Sequence, residues 1–352
     1  MKFAKLQSIL FSGFTRTRDK RSEMPTRHLS PVIFSVRTFP NRVCIGTSSL
    51  NAAILLCIFL LNAITCSADN LRVMVLLSDN SAPYQSLARV LSNKLPATVD
   101  VNVMSQSDEL WKQTQADLIV AAGMKAGLVA ATQTHIPVLT VMIPKIGYEE
   151  LLVQINAQTR SPVISAIYLD QPLYRQIDFI KATLPELRKI GILYSQNSHF
   201  NIENISQQAS ERDAKLIAKP VLSADKLFSV LDEVLEKSDI LLAVPDNKIY
   251  NNLNIRNILL STYRSGIPFI GLSQSYVTAG ALGAVFSTQE QIADQLAEAI
   301  VTFEASRILP EPRYAHEFTL ALNPEVARSL GIELPKPDVI RQRMNHANRG
   351  TQ

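Results

Sequence analysis

The chain has 352 residues, 47% of them hydrophobic and 19% charged, which supports real cores in two domains of ordinary size and excludes a disordered tail protein. Its formal charge of +4 is uneven: residues 1–68 carry nine Lys and Arg against Asp19 and Glu23, a net of +7, leaving 26 basic against 29 acidic residues, a net of −3. The basic character belongs to this leader, and the rest of the chain lacks the excess that a nucleic-acid partner requires.

All three cysteines, Cys44, Cys57 and Cys66, also fall in the leader. A disulfide framework, a thiolate metal site and a cysteine nucleophile are therefore excluded from the remainder. Ala52 to Ile64 is a 13-residue apolar run, short for a membrane span and suited to the apolar region of a signal peptide. Arg37 and Arg42 precede it, and small residues up to Ala68 offer a cleavage site, which predicts export to the periplasm. Cys66 leaves a lipid anchor as an alternative. The first 47 residues are long for the segment that precedes such an apolar region, and a start at Met24 is an alternative beginning.

From Leu71 the pattern is strand, polar turn, helix. Leu71 to Leu77 is a continuous apolar strand ended by Ser78-Asp79-Asn80, and a helix follows from Ala82 to about Leu95. Val99 to Met104 alternates as a second strand, and Ser107-Asp108 is placed to cap a helix carrying Trp111. Asp117 to Ala122 is a third strand, leading through Gly123-Met124-Lys125 into a helix, and Pro137 to Ile143 is a fourth. Pro144-Lys145 interrupts it, a short helix spans Tyr148 to Ile155, and Pro162 to Leu169 is a fifth strand.

After Asp170-Gln171-Pro172 the series restarts. It runs through an amphipathic helix to Leu184, a strand Lys189 to Tyr194 and the polar turn Ser195 to Ser198. Helix 202–214, strand 215–221 and helix 225–237 follow. Ile240 to Val244 and Pro268 to Leu272 are two further strands about a helix, ended by Pro245-Asp246-Asn247 and by Ser273-Gln274-Ser275. Such alternation predicts an α/β fold of two doubly wound parallel-sheet lobes. Thr288 to Arg307 is one amphipathic helix, His316 to Asn323 a strand and Pro324 to Leu330 a short helix, and the residues from Arg341 onward read as a frayed tail.

Enzyme signatures are scarce. Gly271-Leu272-Ser273-Gln274-Ser275 stands where a nucleophile elbow would, but its last position is Ser instead of the required Gly. Neither G-x-x-x-x-G-K-[ST] nor G-x-G-x-x-G follows the first strand, and the five histidines, at 28, 135, 199, 316 and 346, have no ligand spacing. No catalysis, cofactor or metal is expected. What remains is a set of strand-end groups: Ser78, Asp79, Asn80, Gly123, Met124 and Lys125 from the first series, and Ser195, Asn197, Ser198, Asp246, Asn247, Ser273 and Gln274 from the second. Each alone is an ordinary turn former. Together they suit two carboxyl edges facing one interdomain cleft, the usual place for a small ligand.

The runs QIDFIKATLPELRKIGILYS, SDILLAVPDNKIY, GIPFIGLSQSYVTAGALGAVFS and FTLALNPEVARSLGIELP, with the weaker LRVMVLLSDNSAPYQSL and ADLIVAAG, resemble in order and spacing the periplasmic substrate-binding proteins of ABC transporters. The branch is the one that includes binders of tryptophan and other aromatic amino acids. The resemblance implies a type I binding fold with three crossovers acting as a hinge, near Leu169, Gly280 and Pro310. The first lobe would hold residues 69–169 and 281–310, the second 170–280 and 311–340, with 341–352 as the tail. It also implies an ammonium clamp at Asp246-Asn247, a carboxylate site at the helix start Gly123 to Ala126, and contacts from Asn197 and Ser198. Tyr84, Tyr148, Tyr250 and Tyr276 are candidates for an aromatic platform. The Pro144 to Tyr148 turn departs from many relatives. An ABC permease and ATPase are the implied partners, and docking on a membrane sensor is the alternative.

Overall fold

The computed structural model describes residues 70–156, 163–196 and 198–349, and the leader with its apolar run and cysteines lies outside them. Strand β1 (Leu71–Leu77) is buried at every position but Arg72. Leu71, Val73, Val75 and Leu77 enter one core with Leu87 and Leu91, whereas Met74 and Leu76 enter a second with Trp111 and Ile119. A strand that is apolar on both faces belongs inside a parallel sheet covered on both sides.

The chain continues through α1 (Ala82–Lys94), β2 (Val99–Ser105), β3 (Leu118–Ala122), α2 (Met124–Gln133), β4 (Val138–Val141), α3 (Lys145–Asn156) and β5 (Ile164–Tyr168). A second series follows: α4 (Leu173–Thr183), β6 (Lys189–Ser195), α5 (Ile202–Ser210), β7 (Lys215–Val221), α6 (Leu227–Leu235), β8 (Ile240–Leu242), α7 (Ile255–Arg264), β9 (Phe269–Gly271), α8 (Gln274–Ala279) and β10 (Gly283–Phe286). The closing elements are α9 (Gln289–Ser306), β11 (Arg313–Tyr314), β12 (Thr319–Leu322), α10 (Pro324–Ser329) and α11 (Pro337–Arg349).

Two six-stranded sheets result, ordered β11-β5-β4-β3-β1-β2 and β12-β10-β9-β8-β6-β7. All pairings are parallel except β12 against β10. The fold is therefore two parallel-sheet α/β lobes. α9 packs Ile292, Leu296, Ile300 and Phe303 on the first sheet's core, and its start is a capping box between Thr288 and Gln291. The described residues all belong to one compact unit, residues 67–352.

The structure corrects several expectations. The segment after Gly280 does not go back to the first lobe: β10 pairs with β9 through Gly283 and Ala284 and with β12 on its other side, which makes it an inner strand of the second sheet. β11 joins the first sheet beside β5, although residues 311–340 were expected in the second lobe. The chain thus passes between lobes at residues 169–172, at 287–288 and at 315–318, so the second and third passages lie beyond Gly280 and Pro310. The frayed tail is instead helix α11, whose Ile340 and Met344, one turn apart, are buried in the second lobe's core. The helix expected at Trp111 is one tight turn, Glu109–Gln113, whose start Asp108 caps by accepting from Leu110 N at 3.0 Å.

The three passages are tied together. Gln171 Nε2 donates to Ser287 Oγ at 2.8 Å, and Ser287 Oγ donates to the carbonyl of Glu317 at 2.5 Å. Arg175 reaches from α4 to the carbonyl of Ala315 at 2.8 Å, with its guanidinium 4.6 Å from the ring centre of Phe318. Gln295 of α9 accepts from His316 N at 2.9 Å. Buried polar groups paired in this way hold a hinge in register without an apolar core of its own.

Candidate functional site

In parallel sheets the loops after the strands converge on the carboxyl edge. Two adjoining cavities lie there, between the lobes. One, of about 170 Å³, is walled by Met124, Pro144, Gly147 and Glu150 on one side and by Ser195, Ser198, Asp246 and Asn247 on the other. The second, of about 520 Å³, lies toward the hinge and shares Ile146, Phe200 and Pro245 with the first. Its walls include Lys145, Glu149, Asp170 and Tyr314 from the first lobe and Tyr174, Gln176, His199 and Gln208 from the second.

The expected residues divide. Met124, Ser198, Asp246 and Asn247 come together in the smaller cavity. Ser78, Asp79, Asn80, Gly123, Lys125, Ser273 and Gln274 line neither cavity. For Ser78 to Asn80 and for Ser273 and Gln274 the strand order gives the reason: β1 and β9 stand one place outward from the strands whose ends open onto the cavities. Ser78 is committed elsewhere, its Oγ accepting from Ala126 N at 3.0 Å in the first turn of α2. Asp79 accepts from Ser81 N at 2.8 Å in a local turn, and hydrogen bonding from the Ser81 hydroxyl first and its N–H second holds its carboxyl below the usual range. Asn197 lies outside the described residues.

Asp246 differs from the expected clamp. Its Oδ2 accepts from Ser195 N at 2.7 Å and its Oδ1 from Lys248 N at 3.0 Å, so both oxygens tie the end of β6 to the turn after β8. Ser198 is freer, since its buried Oγ has no hydrogen-bond partner among the described residues.

The tyrosines expected as a platform serve the interior. Tyr148 and Tyr250 are buried, and Tyr276 lies 6.2 Å from Phe269 in a stacked pair. Burial pushes the Tyr148 hydroxyl up to about 12. The aromatic surfaces that do line the larger cavity are Tyr174, Phe200 and Tyr314. Tyr314 is braced edge-on against Tyr168, with ring centres 5.0 Å apart.

Asp170, which follows β5, was passed over as part of a turn between the series. Its Oδ1 accepts from Lys145 N at 2.8 Å and so caps α3 from 25 positions away. Burial pushes this carboxyl up to about 6, against the downward pull of the Lys145 N–H and charge. Lys145 Nζ pairs with Glu149, one turn along α3. Asp170 and Pro144-Lys145 both stand directly after strands, so the strand-end rule, applied to β4 and β5 as it was to β1 and β3, is the signal that would have found them.

Among the described residues no group of three or more His, Cys, Asp or Glu side chains is placed to hold a metal ion, and no helix is long and apolar enough to cross a membrane. No curated protein matches the chain by sequence. Solved structures do. A domain from Streptococcus pneumonia in complex with L-Trp is 20% identical over 77% of this chain and 98% of its own, with a TM-score of 0.55. A conserved domain protein from Vibrio cholerae is 18% identical over 78% of this chain and 98% of its own, also at 0.55. The ligand-free, open form of a substrate-binding protein with adhesive properties from Clostridium difficile is 14% identical over 76% of this chain and 96% of its own, at 0.59. These likenesses carry the fold, that of type I binding proteins. The model of the family described as ABC transporter substrate binding protein matches residues 84–342. That family binds solutes for an ABC permease and is not an enzyme family, and this chain belongs to it.

Proposed function

We propose that the protein is an exported receptor that closes on a small polar ligand, an amino acid being the leading candidate, and presents it to an ABC permease. The observation that carries this reading is the shared cavity: Lys145, Asp170 and Tyr314 of one lobe face Tyr174, Phe200 and Pro245 of the other across the same space. A ligand there touches both lobes only when they are closed, so its binding energy favours the closed state that a permease recognises. Met124, Ser198, Asp246 and Asn247 form the outer wall of the same cleft.

An amino-acid ligand agrees with the complex of the Streptococcus pneumonia domain with L-Trp. Periplasmic placement rests on the apolar run 52–64 and the small residues after it, which suit an export signal. The test is a thermal-shift screen of the purified protein over the amino acids, sugars and purines, followed by calorimetry on whatever stabilises it. Stabilisation by one compound class, with uptake of that compound lost when the gene is deleted, supports the reading. Failure of every class to stabilise the protein, with uptake unchanged, removes it.

A further inference from the structure

Two buried acceptors in the wall of the larger cavity have no donor among the described residues. Gln176, only 4% exposed, donates its Nε2 to the carbonyl of Gln171 at 3.2 Å, which orients its Oε1 the other way. That Oε1 is buried without a partner among the described residues, and so is Gln208 Oε1 in the same wall. Asp170, in the same wall, accepts from Lys145 N through Oδ1 and carries the carboxylate charge beside these two amides. Buried acceptors left unpaired are costly, and two of them beside a carboxylate in one cavity wall mark a place where N–H donors arrive from outside the protein.

Charge points the same way. Among the described residues Lys145 is the one Lys or Arg in the cavity wall, and its ammonium is taken up by Glu149. Asp170 is left as the uncompensated charge, beside the faces of Tyr174, Phe200 and Tyr314, which suit a cation and the apolar body behind it. The first turn of α3 is already occupied by the Asp170 carboxylate, so it is not the place for a ligand's own carboxylate.

We propose that the hinge-side cavity holds the protonated nitrogen of the ligand, with Asp170 as counter-ion and the Gln176 and Gln208 carbonyl oxygens as acceptors, making an amine-bearing compound with an aromatic or apolar body the substrate class. This rests on the receptor reading above and moves cation recognition from Asp246, whose oxygens are engaged by backbone amides, to Asp170.

The experiment is calorimetry with two matched series, one on benzene (phenethylamine, L-phenylalanine, 3-phenylpropionate) and one on indole (tryptamine, L-tryptophan, indole-3-propionate). The wild-type protein is compared with Asp170→Asn, which keeps an acceptor for Lys145 N and removes the charge. Amine-bearing members of at least one series should bind and the acids should not. Asp170→Asn should lose about tenfold or more in affinity for the binders, as expected for a charge-assisted contact.

Wild-type affinity should fall about tenfold for each pH unit below about 6, while Asp170→Asn stays flatter. Lys145, Glu149, Tyr168 and Tyr314 surround Asp170, and His199 lines the same cavity, so the two proteins are compared at every pH. Three outcomes overturn the proposal: an acid that binds as tightly as its amine partner, an Asp170→Asn protein with unchanged affinity, or no binding by any amine. If a sugar or purine then binds in the broader screen, the receptor reading survives and only the cation site falls.

Discussion

Gln171 and Ser287, 116 positions apart, meet at 2.8 Å, and Ser287 passes the contact on to Glu317. One serine hydroxyl therefore joins the three segments along which the lobes are connected. Both side chains are buried, so neither hydrogen bond is readily replaced by water.

Ser287→Ala strands the Gln171 amide N–H and the Glu317 carbonyl at once. The expected cost is about 1–3 kcal/mol, the penalty for unpaired buried polar groups, read from urea denaturation. Ligand affinity should change as well, because the lobes lose a fixed pivot, whereas an exposed control such as Ser275→Ala should change neither quantity.

Asp246→Ala is predicted to be a folding variant before it is a binding variant. It deprives Ser195 N and Lys248 N of their acceptor at a buried position. A loss of about 2–3 kcal/mol is expected, and Asp246→Asn should recover part of it because one amide oxygen can still accept. A wild-type urea midpoint for Asp246→Ala would refute this assignment and restore Asp246 as a free ligand contact.

Asp170→Asn is predicted to stabilise the ligand-free protein at neutral pH. The native carboxyl holds its proton up to about 6, above the ordinary value of 3.8, so between these values the native state binds more protons than the unfolded state. Stability from this group is therefore present at low pH and declines as pH rises from about 4 to about 6, by roughly 2 kcal/mol. The advantage of Asp170→Asn over wild type should be a few degrees of Tm at pH 7.5 and vanish near pH 4. An amine ligand should reverse the ranking at pH 7.5 by stabilising the wild type alone.

Gly123→Ala tests the turn that opens α2. Gly123 has φ +92°, and an added Cβ would lie 2.5 Å from the Tyr84 hydroxyl and 2.6 Å from Ser78 Oγ. Strain and collision together should cost about 2 kcal/mol or more and displace Ser78 from Ala126 N, observable as a lower urea midpoint.

Much of this protein is local and hence legible residue by residue. The unbroken apolar run Leu71–Leu77 requires an inner parallel strand, because side chains that alternate across a sheet are all apolar only when both faces are covered. The Ile292, Leu296, Ile300 and Phe303 stripe requires a helix lying on a core. Such patterns repeat within a few residues, and they determined two α/β lobes and a cleft at their carboxyl edges.

Tertiary structure alone decided which strand ends face that cleft, because strand order arises from pairings between distant segments. β4 and β5 came to lie between β3 and β11, which put Asp170 and Tyr314 on the cavity wall and left Asp79 outside it. The start of α3 was hidden for the same reason: its cap comes from Asp170, 25 residues on, and not from a neighbour in sequence. Which amides fold against a carboxylate decides what it braces, and that separates Asp170, which caps α3, from Asp246, which ties β6 to the turn after β8, where their local sequences, each a polar turn after a strand, are alike.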